Sequence, residues 1–373
     1  MAYKVPFVDL PKHYQRLEGE LMPVIRDVLF KRADLIMRGD LAKFEENVAK
    51  FVGVKYAVGL NSGTDTLYLS LLACGIGKGD EVVTVSHTFV ATIAAIKFTG
   101  AMPVLIDVGR DHNMDVDQLE KAITRRTKAI MPVHLNGRVC DMYKIMKIAK
   151  KHKLVVIEDA AQALGGKFNG KMAGSFGITG SFSLYPMKIL GGTGDGGIVV
   201  TNNKRIADKI RLMRDHSQNR KTGEILNYGF NSRLDNFHAA ILDVKLKHLS
   251  KWIERRREIA QIYYNGLNGL EQVTVPPSID EDTRYYDAFQ NYVIMAKRRN
   301  ALVKYLKEQG IETLISWPKP THKHKGLGLQ RFKLPMTEKI SREVVSLPMN
   351  TEVTNKQLSY VINTIKTFYN KKG

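Results

Sequence analysis

The 373-residue sequence has only two cysteines, Cys74 and Cys140, set among ordinary helix- and strand-forming neighbours. Two thiols with no ladder of spacings build neither a disulfide framework nor a zinc site, so both read as reduced, packed side chains, and no metal is expected. No run of eighteen uncharged apolar residues occurs, and the opening MAYKVPFVDLPKHY has no apolar core of the kind a signal peptide needs. A soluble, cytoplasmic protein without membrane association is the expectation. Acidic side chains are also scarce, 37 against 57 basic, which leaves a formal charge of +20. That field favours an anionic partner without choosing among nucleic acid, membrane and small substrate. The basic clusters KIAKKHK (147–153), ERRRE (254–258) and AKRRN (296–300) fall on helical patterns and a turn, with no interleaved aromatics to stack bases. They read as solvated faces, and no nucleic-acid partner is expected.

What is present is a chain that is 44% hydrophobic, enough to bury the core of one large domain and a smaller one. Between about residues 55 and 201, short β-branched runs alternate with longer helical patterns: EVVTVS (81–86), PVLIDV (103–108), AIMPV (129–133), LVVIED (154–159) and GIVVT (197–201). This alternation predicts an α/β fold with a mainly parallel sheet flanked by helices, its chemistry in loops beyond the carboxyl ends of the strands. Ile206, Ile210 and Met213 predict a helix over 204–214. Leu242, Leu246, Leu249 and Ile253 predict one long helix joining the lobes. Beyond a turn-rich stretch, strand FQNYVIMA, helix ALVKYLKEQ, the stop Gly310, strand IETLIS and a final helix ending near Tyr369 predict a small α/β domain. The expected division is 1–250 and 251–373.

Three local features carry chemistry. Asn61-Ser62-Gly63-Thr64-Asp65-Thr66 joins a short strand to a helix, and such a turn offers free amides and the positive end of a dipole to a phosphate, although Ser, Thr and Asp are equally the usual helix caps. Asp159 ends the strand LVVIED beside Glu158. A carboxylate there could hold a pyridine nitrogen protonated, bind a metal or cap a helix. In SFSLYPMKILGGTGDGG (181–197), Lys188 stands between an aromatic-proline turn and a loop with five glycines. Glycine at that density lets another group approach the backbone closely. A free lysine, with a pKa of about 10.4, is almost wholly protonated at neutral pH, so chemistry there requires desolvation or a covalent partner.

Together these segments resemble the sugar aminotransferases of pyridoxal-phosphate fold type I, the DegT/DnrJ/EryC1/StrS family. The resemblance runs from VPFVDL (5–10) through RGDLAKFEENVAKFVGVKYAVGLNSGTDTL (38–67), SHTFVAT (86–92), PVHLNG (132–137), IEDAAQALGG (157–166), the lysine segment, YGFNSRLDNFHAAIL (228–242), WPKPTH (317–322) and SLPM (346–349). It implies that Lys188 forms the internal aldimine with pyridoxal 5'-phosphate and, once released, moves the proton. Asp159 would pair with the pyridine nitrogen, Gln162 would bond the phenolic oxygen and Phe89 would stack on the ring. Gly63, Thr64 and Ser183 would bind the phosphate, joined by Asn231 from a second subunit, which implies a homodimer with shared active sites.

The reaction so implied is a ping-pong transamination in which L-glutamate converts the cofactor to pyridoxamine 5'-phosphate, which then aminates a nucleotide-linked keto sugar for cell-surface glycan or related biosynthesis. Arg233 and His322 match positions near the sugar nucleotide. The sequence GDGG, where family members that aminate carbon 4 more often have GEGG, and the WPKPTH segment favour a 3-keto sugar. Leu164, Ile189 and Asn136 depart from the residues common at their places, which bears on substrate identity. Two rivals differ in kind: a pyridoxamine-dependent dehydratase, which would carry histidine in place of Lys188, and a non-enzymatic regulator, which would normally carry a separate DNA-binding domain.

Overall fold

The computed structural model describes residues 3–370, so the outermost ends of both expected domains lie outside the described residues. The chain passes through β1 (Tyr56–Leu60), β2 (Glu81–Val85), β3 (Met102–Ile106), β4 (Thr127–Ile130) and β5 (Val155–Asp159). A small hairpin of β6 (Lys167–Phe168) and β7 (Lys171–Met172) precedes β8 (Thr179–Ser183) and β9 (Gly197–Thr201). Seven of these strands form one sheet in the order β1-β9-β8-β5-β4-β2-β3. Its neighbours are parallel except around β9, which runs antiparallel to both β1 and β8. β2 and β9 are buried along their whole length, as strands covered on both faces must be.

Further on, β10 (Val273–Thr274), β12 (Tyr292–Ala296) and β13 (Val344–Leu347) form a second sheet, while β11 (Tyr285–Tyr286) adds to the small hairpin. A separate hydrophobic core gathers around the second sheet, built on Tyr263, Tyr292, Leu306 and Val361. The helix Leu249–Leu267 serves both cores: Trp252 and Ile253 pack into the large one, and Ile259 and Tyr263 into the small one.

Two expectations need correction. The long helix predicted across 242–253 is two helices, Asn236–Leu246 and Leu249–Leu267. The first is buried almost all round and the second on one stripe, so the apolar spacing runs unbroken through Lys247 and His248 although the environment changes there. IETLIS is no ladder strand. Ile311 bridges Val5 and Leu314 bridges Ser346, so the segment meets two partners once each. Gly310 ends the preceding helix at φ 79°, as the stop required.

The basic clusters are not uniform solvated faces either. Arg299 of AKRRN is buried and donates to the Val344 carbonyl at 2.7 Å. Within ERRRE, Arg257 donates to the Asp287 carbonyl and lies 4.0 Å from the Tyr286 ring centre. Among the described residues no helix is long and apolar enough to cross a membrane.

Candidate active site

A cavity of ≈ 590 Å³ opens where the carboxyl ends of the parallel strands meet the small lobe, and Gly63, Thr64, Phe89, Asp159, Gln162, Ser183 and Lys188 all border it. That volume suits a small molecule or cofactor. The helix Gly63–Ala73 begins at its wall, capped by Ser62, whose hydroxyl accepts from the Asp65 amide at 3.1 Å. The first amides of a helix have no partner within it, so those of Gly63 and Thr64 remain for a ligand. A Cβ built on Gly63 would fall 2.8 Å from the Ser183 Cβ, and one on Gly197 would fall 2.4 Å from the Ser62 carbonyl oxygen. A side chain at either glycine would clash, so the start of this helix packs closely against the ends of β8 and β9.

Asp159, at the end of β5, is 4% exposed. Its Oδ2 accepts from the Thr92 hydroxyl at 2.7 Å and its Oδ1 from the Ala161 amide at 3.2 Å. Thr92 spends its only hydrogen there, so the 2.7 Å contact with Thr88 has Thr88 as donor. Burial raises the Asp159 pKa; the Thr92 and Ala161 bonds and the positive Lys188 oppose the rise. Lys188 is shifted the other way, burial drawing its pKa down to about 8 against the pull of Asp159. An acid and a base with pKa values moved toward one another are a signature of a working site.

Glu158, adjacent in sequence, has a different task. Its carboxylate accepts from the amides of Gly174 (2.7 Å), Phe176 (2.7 Å) and Gly177 (2.6 Å) and from His134 Nε2 (2.9 Å). His134 Nδ1 accepts from the Cys140 amide at 3.2 Å, which places the ring proton on Nε2. Glu158 therefore fastens a loop, and Asp159 alone faces the cavity.

The position of Lys188 is set from the small lobe. Gln290 accepts from the Ile189 amide at 2.9 Å and donates to the Met187 carbonyl at 2.8 Å, gripping the chain on both sides of the lysine. Lys245, buried in the helix Asn236–Leu246, donates to the Gly191 carbonyl, and Tyr14 donates to that of Gly192 at 2.9 Å. Nothing local in the sequence marks Gln290 or Tyr14 for these roles.

The remaining candidates lie elsewhere. Asn231 is exposed, outside its own chain's cavity, and bridges Asp215 through the backbone. Arg233 pairs with Asp215 at 3.2 Å, also outside. Between them, Ser232 donates to Asp65 at 2.6 Å and ties this segment to the start of the helix Gly63–Ala73. His322 is fully buried, with Nδ1 2.7 Å from the Ser86 hydroxyl and Nε2 3.3 Å from Glu338. It clamps WPKPTH onto the end of β2 and does not border the cavity. Leu164 and Ile189 are core side chains, Ile189 also bordering a small side cavity, whereas the Asn136 amide donates to Gln162 Oε1 at 2.9 Å.

A helix start with free amides, a buried carboxylate, an exposed Phe89 and a deep lysine around one cavity fit pyridoxal phosphate, and with the fold they define a class: pyridoxal-phosphate enzymes of fold type I. The model of the DegT/DnrJ/EryC1/StrS aminotransferase family matches residues 18–366, and the chain belongs to that family. It is 42% identical over 371 residues to a pleiotropic regulatory protein of Geobacillus stearothermophilus, covering 98% of each chain. It is 40% identical to the dTDP-3-amino-3,6-dideoxy-alpha-D-galactopyranose transaminase of Aneurinibacillus thermoaerophilus, covering 98% of this chain and 99% of the relative. Among solved structures, S. venezuelae DesV in complex with a ketimine intermediate superposes with a TM-score of 0.95 at 36% identity, covering 100% of both chains.

With its pKa lowered to about 8, Lys188 as the cofactor-holding residue would make loading pH-dependent. Only the neutral amine attacks an aldehyde, and at a pKa of about 8 the neutral fraction grows tenfold per pH unit up to that point. In stopped-flow mixing of cofactor-free protein with pyridoxal phosphate, the visible band should form faster from pH 6 to 8 and level off above about 9. A rate still climbing at pH 10 would mean an ordinary, solvated lysine.

Proposed function

We propose that this enzyme transfers an amino group from L-glutamate to a 3-keto sugar carried on a nucleoside diphosphate, for the synthesis of cell-surface glycans or related products. The observation that carries the reading is the enclosed Lys188 facing Asp159 beside a free helix amino terminus. Bound pyridoxal phosphate supplies the electron sink. Every other part is played by the chain. Lys188 Nζ would hold the cofactor and then carry a proton to and from the reacting carbon. Asp159, fixed by Thr92 and the Ala161 amide, would keep the ring nitrogen protonated. With its oxygen engaged by the Asn136 amide, Gln162 has its NH2 group left to donate to a phenolic oxygen. Gly63, Thr64 and Ser183 would hold the phosphate, with Asn231 entering from a second copy, so a homodimer completes each site. The division into domains at residue 250 belongs to the same reading, as do a cytoplasmic location and Arg233 as a sugar-nucleotide contact.

Carbon 3 is favoured by GDGG in the lysine loop and by relatives named for 3-amino sugars, such as the Aneurinibacillus transaminase. The net charge of +20 would draw in the diphosphate. A second reading, regulation, is favoured by the name of the Geobacillus relative. One experiment separates the two: absorption spectra of the protein loaded with pyridoxal phosphate, before and after L-glutamate, followed by a panel of 3-keto and 4-keto sugar nucleotides. Loss of the visible band with glutamate and its return with a 3-keto sugar nucleotide are expected. A band that glutamate leaves untouched would move regulation to the front.

A further inference from the structure

Arg256 occupies the inner stripe of the helix Leu249–Leu267, four residues from both Trp252 and Ala260, which are buried. A cation on such a stripe needs partners. Nη1 donates to the carbonyls of Phe289 at 3.0 Å and Gln290 at 3.2 Å. Nε is enclosed and has no partner, and among the described residues no carboxylate pairs with this guanidinium. Burial draws its pKa down to about 10 with no acidic group opposing it. Its neighbours are provided for: Arg255 binds Glu258, the Val353 carbonyl and Asn355, and Arg257 binds the Asp287 carbonyl.

Arg256 borders the main cavity, and it also borders a side cavity of ≈ 50 Å³ whose wall includes Lys188 and Lys245. Lys245 has a carbonyl partner and no carboxylate. Of the carboxylates nearby, Glu352 pairs with Arg16 and His13, Asp9 caps the Lys12 amide and Asp159 acts on Lys188, which leaves Arg256 without an anion of its own. A guanidinium with free donors next to a cavity is suited to a planar oxyanion bound through two hydrogen bonds.

We infer that Arg256 receives the α-carboxylate of the amino donor, an inference that rests on the transamination reading above. Two substrates bring oxyanions to this site, the donor with its carboxylate and the sugar nucleotide with its diphosphate. In an α-amino acid the carboxylate is bonded directly to the carbon that reacts, so its receptor must lie beside the lysine. In a sugar nucleotide the diphosphate hangs from carbon 1, two ring carbons away from carbon 3. The wall shared by Arg256 and Lys188 fits the shorter reach.

The test uses the holoenzyme and its Arg256→Lys and Arg256→Met variants. Calorimetry measures binding of glutarate, which has carboxylates and no amine, and separately of dTDP and UDP, while spectra follow the half-reaction with L-glutamate. Arg256→Met should bind glutarate roughly 10- to 100-fold more weakly, and Arg256→Lys should keep part of the affinity. Half-saturation by glutamate should rise in step, with a smaller change in limiting rate and unaltered nucleotide affinity. Nucleotide affinity lost while glutarate binding persists would reassign Arg256 to the diphosphate. No change in either, a joint loss of both, or a wild type that binds no glutarate would reduce it to a brace for the Phe289 and Gln290 carbonyls. A wild type that glutamate does not bleach would sink the transamination reading and this inference with it, an outcome visible before any variant is made.

Discussion

Lys188→Ala is expected to lose transamination by three orders of magnitude or more, with no visible band of covalently held cofactor and with the fold intact. On the proposed reading Lys188 would be both the attachment point and the proton carrier, and general acid–base catalysis alone is worth about 10²- to 10⁴-fold. The fold should survive because the lysine's own burial is unfavourable: its pKa is lowered by desolvation, so a neutral methyl there relieves a cost. Asp159 keeps the Thr92 and Ala161 bonds when the lysine is gone. Gln290 grips the backbone of Met187 and Ile189, which the substitution leaves in place. The melting temperature of the cofactor-free variant should therefore stay within a few degrees of the wild type. Added primary amines supply a proton carrier, and partial recovery of rate with methylamine would tie the defect to the missing Nζ. A variant that retains its band and rate would remove Lys188 from the chemistry.

Most of the sheet was legible because parallel strands covered on both faces must be β-branched runs, and EVVTVS, LVVIED and GIVVT could be little else. The two chemical groups at its edge were legible for related reasons. Asp159 stands at a strand end and Lys188 in a glycine-dense loop, so each had a local signature. Illegible features are those whose partners come from far along the chain. Gln290 meets its targets across about a hundred residues, and Glu158 looks identical to Asp159 in sequence until three amides of the 174–177 loop close on it. The break after Leu246 was hidden because the apolar spacing continues across it. Arg256 did leave a signal: Trp252, Arg256, Ala260 and Tyr263 recur at helical spacing, which puts one arginine of ERRRE on the buried face. Reading the cluster as a block of charge concealed it.

Asp159→Asn should separate activity from stability in a different way. Turnover should fall roughly 100- to 1000-fold, the scale on which a placed charge at a reacting centre acts. An amide cannot hold a ring nitrogen in its protonated form as a carboxylate does. Stability should change little, because two effects oppose. The carboxylate is buried and its pKa raised, so neutralising it removes a desolvation cost. Against this, the amide nitrogen cannot accept, so one of the two donors, Thr92 or the Ala161 amide, loses its acceptor at a cost of about 1–3 kcal/mol. Thr92 can limit the damage by rotating, since its hydroxyl oxygen can accept from the new amide while its hydrogen turns to Thr88, 2.7 Å away. The distinguishing readout is spectroscopic. With the carboxylate gone and the ring nitrogen no longer held protonated, the charges around the bound cofactor change, so the pH at which the visible band titrates should shift from that of the wild type. A variant with wild-type turnover and an unshifted titration would show that Asp159 does no more than cap the Ala161 turn.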